Sequence, residues 1–196
     1  MKNVFMSSTR KQFEYYKMLG DRSFAQLNEQ DLFWQYNEES NSIAIIVKHM
    51  WGNMLSRWTD FLTSDGEKEW RKREEEFVGD IKNVNELLEK WEAGWGCLFL
   101  ALDSINEDNF DQQVFIRNQA HSIVEAVNRQ LAHYAYHVGQ IVYIARMIKG
   151  NGWQSLSIPK GKSKEFNEKK FSQPTRKDHF TTEFLDGSFY DKKKGE

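Results

Sequence analysis

Apolar residues recur at helical spacing over most of the first 158 positions. Val84, Leu88, Trp91, Trp95, Leu98, Leu102 and Ile105 alternate steps of four and three, the seam of a helix packed in a bundle. Asn83 precedes that run and Glu86 follows it by three residues, which predicts a capping box. A second seam, Val124, Val127, Leu131, Val138, Val142 and Ala145, predicts a helix from Ser122 to Lys149. Gly150 and Gly152 stop it, and Arg146 and Lys149 suit the negative end of its dipole. A third helix reads from Ser42 to Leu62, with Ile43, Val47, Met50, Met54, Trp58 and Phe61 on one face and Asn41 or Ser42 as cap. A fourth spans about Val4 to Leu27 through Phe5, Phe13, Tyr16 and Leu19, with Gly20 interrupting it.

Turn chemistry joins these pieces: Ser64-Asp65-Gly66 after one helix and Asn106–Asn109 after another. Gln113–Arg117 (QVFIR) reads as a short extended piece. Both prolines, Pro159 and Pro174, fall late, so no proline before them breaks a helix interior. Four helices without a sustained strand pattern predict an all-α four-helix bundle over residues 1–158. Residues 159–196 read as an irregular, partly disordered C-terminal arm. From residue 160 on, ten Lys/Arg stand against seven Asp/Glu, which leaves +3 in the arm and −5 elsewhere. Phe166, Phe171, Phe180, Phe184, Leu185 and Phe189 are too many apolar residues for a purely solvated tail. The arm is therefore expected to wrap onto the bundle, with a frayed end.

Charge and composition then remove several function classes. A net charge of −2 offers no field for a polyanion, so no nucleic-acid partner is expected. The longest apolar runs, Ile43–Val47 and Cys97–Leu102, fall far short of the ~20 residues of a membrane span. The opening MKNVFMSSTRKQF has no signal-peptide core, so a cytoplasmic protein is expected. A single cysteine, Cys97, rules out an internal disulfide and a thiolate metal cage, and reads as packing. Any metal must then be held by imidazoles and carboxylates.

His133 and His137 supply a candidate. Four residues apart on one helix, their Cβ atoms lie ~5–6 Å apart on one face, which lets two imidazoles reach one ion. They sit ~100–140° from the seam through Val138, at the border of the buried arc. The same spacing also arises in helices whose rings are merely hydrogen-bonded or half-exposed. His49 is mid-helix among apolar residues, on a stripe with Ile45, Asn53 and Asp60. That stripe faces solvent or the inside of the bundle mouth, and periodicity does not choose. His121 is expected to cap or hydrogen-bond before its helix, and His179 to be solvated.

A histidine midway along the second helix, followed by HYAYHVGQIVYIAR in the fourth, resembles the DinB-like superfamily of four-helix-bundle metalloenzymes. The resemblance is nearest to an uncharacterised bacillus-type branch. It runs through SNSIAIIVKHMWGNMLSRWTDFLTSDGEKEWRKREEEF and VNRQLAHYAYHVGQIVYIAR and covers nearly all of residues 1–158. It implies that His49, His133 and His137 bind one divalent ion, zinc or nickel, at one end of the bundle, with water in the remaining positions. Asn53, Asp60, Arg129 and Gln140 are candidates to orient a ligand or a substrate, although each also suits an ordinary polar position of a bundle. Three protein ligands with open positions fit a catalytic rather than a structural site. A metal-dependent enzyme follows, either thiol S-transferase-like with a small thiol substrate or hydrolase-like. The alternatives are non-enzymatic binding of a metal or small ligand, and a structural, stress-related bundle with a degenerate site.

One surface stripe bears on assembly. Arg129, Ala132, Tyr136, Gly139 and Tyr143 face away from the seam yet alternate small residues with tyrosines, as a packed surface does. Either the arm covers it or a second copy does; homodimers recur in the superfamily the chain resembles, so a homodimer is expected.

Overall fold

The computed structural model describes residues 2–191. Four long helices form the bundle: α1 (Lys2–Phe24), α3 (Ile43–Trp58), α4 (Val84–Asp103) and α5 (Ile123–Lys149), with a short α2 (Glu29–Phe33) between the first two. α3 packs against α4 and α5, and α1 against α5 and α4. The core between them contains Phe13, Met50, Met54, Trp58, Trp91, Trp95, Leu98 and Val138. None of the described helices is long and apolar enough to cross a membrane.

The helix starts follow their caps. Ser42 and Ser122 accept the backbone N–H of Ile45 and Glu125 at 3.2 Å each, and Glu125 answers to the Ser122 N–H at 2.8 Å, closing a box. At α4 only half of the expected box forms. Asn83 accepts from the Glu86 N–H, but the Glu86 carboxylate reaches past it to the Lys82 N–H at 3.0 Å. α3 stops at Trp58 rather than running to Leu62. Asp60 adopts a positive φ of 50°, which turns the chain back so that its carbonyl accepts the N–H groups of Thr63 and Ser64.

Gly20 does not break α1. A Cβ there would lie 2.4 Å from Cζ2 of Trp91, so the glycine is the slot into which this buried indole of α4 fits. The extended piece becomes β1 (Gln113–Ile116), paired antiparallel with β2 (Gln119–Ser122). The connecting Arg117 and Asn118 both have positive φ, the mark of a two-residue hairpin turn. The Asp65 carboxylate clamps that turn, accepting the Arg117 N–H at 2.8 Å and the Asn118 N–H at 2.7 Å.

The buried seam of α5 is turned from the expected one. It runs through Ile123, Val127, Gln130, Tyr134, Val138, Ile141 and Ala145, while Val124, Leu131 and Val142 are only half-buried. Gln130 and Tyr134 complete the four-three spacing, and an apolar pattern passes over them because both carry polar ends. With the seam so placed, His133 and His137 sit about 80° from its centre at ~100° per residue, closer to the core than expected.

The arm holds three short helices, α6 (Ser163–Phe171), α7 (Thr182–Leu185) and α8 (Ser188–Asp191). Its aromatic residues settle on α1: Tyr15 meets Phe180 and Phe184 edge-on at 6.3 and 5.3 Å. Tyr190 donates to the Leu156 carbonyl at 2.9 Å. His179 is half-buried rather than solvated, with Nε2 3.0 Å from Ser8 Oγ and Nδ1 2.8 Å from Thr181 Oγ1. Because the arm docks on α1, it leaves the α5 stripe bare; Tyr136 and Tyr143 are 63% and 66% exposed. The expected frayed end falls on residues 192–196, outside the described residues.

Candidate metal centre

α3 is enclosed on nearly every side, with 14 of its 16 residues buried. The stripe through Ile45, His49 and Asn53 is therefore covered and does not face solvent. His49 is 5% exposed. His133 and His137 approach it half-buried from α5. The Nε2 of His133 lies 3.0 Å from that of His137 and 3.4 Å from that of His49. One nitrogen from each ring falls within 4.8 Å of the other two.

The second nitrogen of two of these rings decides what the first can do. His49 Nδ1 lies 2.9 Å from a Glu76 carboxylate oxygen. An ionised carboxylate only accepts, so Nδ1 carries a proton, and in the neutral ring Nε2 presents a lone pair. His137 Nδ1 lies 2.8 Å from Gln140 Oε1, with the same consequence. Two lone pairs thus point at His133 Nε2, which has one proton at most to satisfy them. A cation among the three nitrogens satisfies all of them. Zinc–nitrogen bonds of ~2.0–2.1 Å in tetrahedral geometry put neighbouring nitrogens about 3.3–3.4 Å apart, close to the 3.0 and 3.4 Å that separate His133 Nε2 from the other two.

Protons compete weakly for the same nitrogens. Burial, with the neighbouring His137 and His49, pushes the His133 imidazole down to about 3. Burial also pushes His137 down to about 4, against the opposing Gln140 contact. Both rings are neutral at pH 7, the form that binds metal.

The anchor behind His49 comes from a 3-10 turn, Arg73–Phe77, that straps across α3. Lys48 holds this strap, with Nζ 2.5 Å from the Glu75 carbonyl, 3.2 Å from that of Val78 and 2.6 Å from the Asp80 carboxylate. Phe77 stacks on the His49 ring at 4.9 Å. Glu76 is 5% exposed and paired with Arg71, whose Nε and Nη2 donate to its two oxygens at 2.8 and 3.0 Å. Burial alone would raise the Glu76 carboxyl; the His49 and Arg71 hydrogen bonds and the Arg71 charge outweigh it and hold the group below the usual carboxylate range.

The ladder continues to Glu67, which accepts from Arg57 at 3.1 Å, Arg71 at 3.4 Å and Arg117 at 3.1 Å. Glu67 thereby ties the strap to the hairpin. Arg57 also donates to the Gly66 carbonyl.

Of the four polar residues expected near the ion, one touches the histidine cluster. Gln140 touches His137 directly. Asn53 lies one layer beneath and accepts from the Tyr134 hydroxyl at 3.0 Å, which in turn accepts from Trp58 Nε1 at 3.0 Å. Asp60 is at the far end of α3, exposed in its positive-φ turn. Arg129 is exposed and turned to His121 at 3.2 Å. Cys97 faces Thr59 at 3.6 Å, and burial raises its thiol, as befits a packing residue. Sequence reasoning missed Glu76 and Arg71. Their one signal is a buried-type aromatic, Phe77, ending the acidic run Glu74-Glu75-Glu76.

Fold and site together define an all-α bundle with a histidine cluster carried on two of its helices. The family described as protein of unknown function (DUF1572), a DinB-like superfamily domain, matches residues 1–162, and the chain belongs to it. No curated protein and no solved structure matches the chain.

Proposed function

We propose that this protein binds one divalent ion, zinc or nickel, through Nε2 of His49, His133 and His137, and uses it in a transferase reaction on a small thiol or in a hydrolysis. The observation that carries this reading is the convergence of the three Nε2 atoms, with the Nδ1 protons of His49 and His137 directed to Glu76 and Gln140. An ion held there supplies Lewis acidity and lowers the pKa of a water or thiol that joins it. The residues around it do the rest. Glu76 and Gln140 orient two rings, burial keeps protons off His133 and His137, and the apolar wall of Phe77 limits water behind His49. Arg71 neutralises Glu76, so the carboxylate does not cancel the charge of the ion.

Zinc titration of chelator-treated protein, prepared without a metal-affinity tag, tests the reading. One ion per chain is expected, with competing nickel displacing it from the same site. Protein that takes up neither ion above background removes the proposal. The exposed tyrosine stripe of α5 further supports a homodimer, since Tyr136 and Tyr143 offer amphipathic rings that none of the described residues of the arm covers. Light scattering at micromolar concentration reads about twice the 23.2 kDa chain mass if a second copy docks there.

A further inference from the structure

We infer that Glu76, held by Arg71, is a positioning residue that fixes the tautomer of His49, so that the neutral ring carries its proton at Nδ1 and leaves Nε2 free. The inference rests on the metal reading for its purpose, but its geometry stands alone. A neutral imidazole has one proton and two places for it. At His49 the choice is made by an acceptor 2.9 Å from Nδ1, and the acceptor is itself immobilised.

Arg71 offers only donors and occupies both Glu76 oxygens, so the carboxylate cannot turn away or take up a proton without breaking that pair. The strap on which Glu76 rides is fastened by Lys48 to the carbonyls on either side of it. Gly52 leaves the space that Glu76 fills: a Cβ there would lie 2.4 Å from Oε1. Phe77 fixes the plane of the ring. Every freedom that would let His49 present the wrong nitrogen is thus removed by a separate contact. His137 has a weaker version of the same device, a neutral amide acceptor from its own helix.

Nitrogen-15 NMR of the imidazoles in the metal-free full chain tests this directly, with zinc affinity measured beside it by chelator competition. In the wild type, His49 is expected to be protonated at Nδ1. In Glu76→Ala the ring should shift towards the Nε2-protonated form that free imidazoles favour, and zinc affinity should fall about 10–100-fold. Glu76→Gln keeps the shape of the side chain but meets the Arg71 donors with an amide NH2; it should give a tautomer mixture and an intermediate loss. That variant serves if Glu76→Ala fails to fold. A helix-packing role alone would lower thermal stability and leave the tautomer unchanged. Wild-type His49 protonated at Nε2, or an unchanged tautomer and affinity in both variants, overturns the inference. A wild type with the stated tautomer that takes up no zinc upholds the hold of Glu76 on the ring and overturns the metal reading instead.

Discussion

Replacing Gly52 with alanine separates this account from the ordinary expectation for a helix. Inside a helix, Gly→Ala usually stabilises by about 1 kcal/mol. Here the added methyl would lie 2.4 Å from Oε1 and 2.8 Å from Cδ of Glu76, where carbon contacts ordinarily sit at about 3.5–4 Å. The carboxylate must retreat by about 1 Å. That stretches the 2.9 Å contact to His49 and the 2.8 and 3.0 Å contacts to Arg71 beyond useful hydrogen bonds. Each bond to a charged group contributes about 1.5–3 kcal/mol, and partial relaxation of the strap would save some of it. A loss of about 2–4 kcal/mol against the gain of about 1 leaves the variant less stable by roughly 1–3 kcal/mol. For a chain of this size that lowers Tm by about 2–12 °C. Thermal unfolding followed by circular dichroism on metal-free protein at pH 7 reads it. The double variant Gly52→Ala/Glu76→Ala has no carboxylate to displace, so there the alanine should be neutral or stabilising relative to Glu76→Ala alone. A Gly52→Ala protein as stable as the wild type would refute the tight seat assigned to Glu76.

Three further outcomes follow from the same contacts. His137→Ala should lose most of its zinc affinity, measured by chelator competition, while its far-ultraviolet spectrum stays helical, because the core seams do not depend on the ion. Gly20→Ala should destabilise by about 1–3 kcal/mol in urea unfolding, since its Cβ would lie 2.4 Å from the Trp91 ring. Metal-free protein should lose stability as pH falls from about 6.5 towards 4. His133 and His137 bind protons in the unfolded chain before they do so in the fold, where they titrate near 3 and 4. Two protons bound this slope at about 2.7 kcal/mol per pH unit, and the partial exposure of both rings narrows the pH range over which it applies. Urea midpoints of the double variant His133→Ala/His137→Ala should show a flatter slope over that range.

The helices were legible because each carries its own evidence in apolar spacing and caps, and the HxxxH pair because one helix fixes both rings. The direction of His49 was not, since α3 is buried almost all round and presents no polar face against which to orient it. Gly20 reads as a helix interruption until Trp91, 71 residues away, fills the space it leaves. Glu76 was hidden for a different reason. It lies in a connection where sequence marks a run of charges, and only docking on α3 distinguishes the buried carboxylate from its exposed neighbours Glu74 and Glu75. The polar members of the α5 seam, Gln130 and Tyr134, escaped because an apolar template cannot count them.

X-ray absorption at the metal edge of the zinc- or nickel-loaded protein tests the central claim most directly. The account predicts three imidazole nitrogens around one ion, at about 2.0–2.1 Å for zinc, with only light oxygen or nitrogen atoms completing the sphere. A sulfur neighbour from Cys97, or a spectrum without the multiple scattering of imidazole rings, would contradict it.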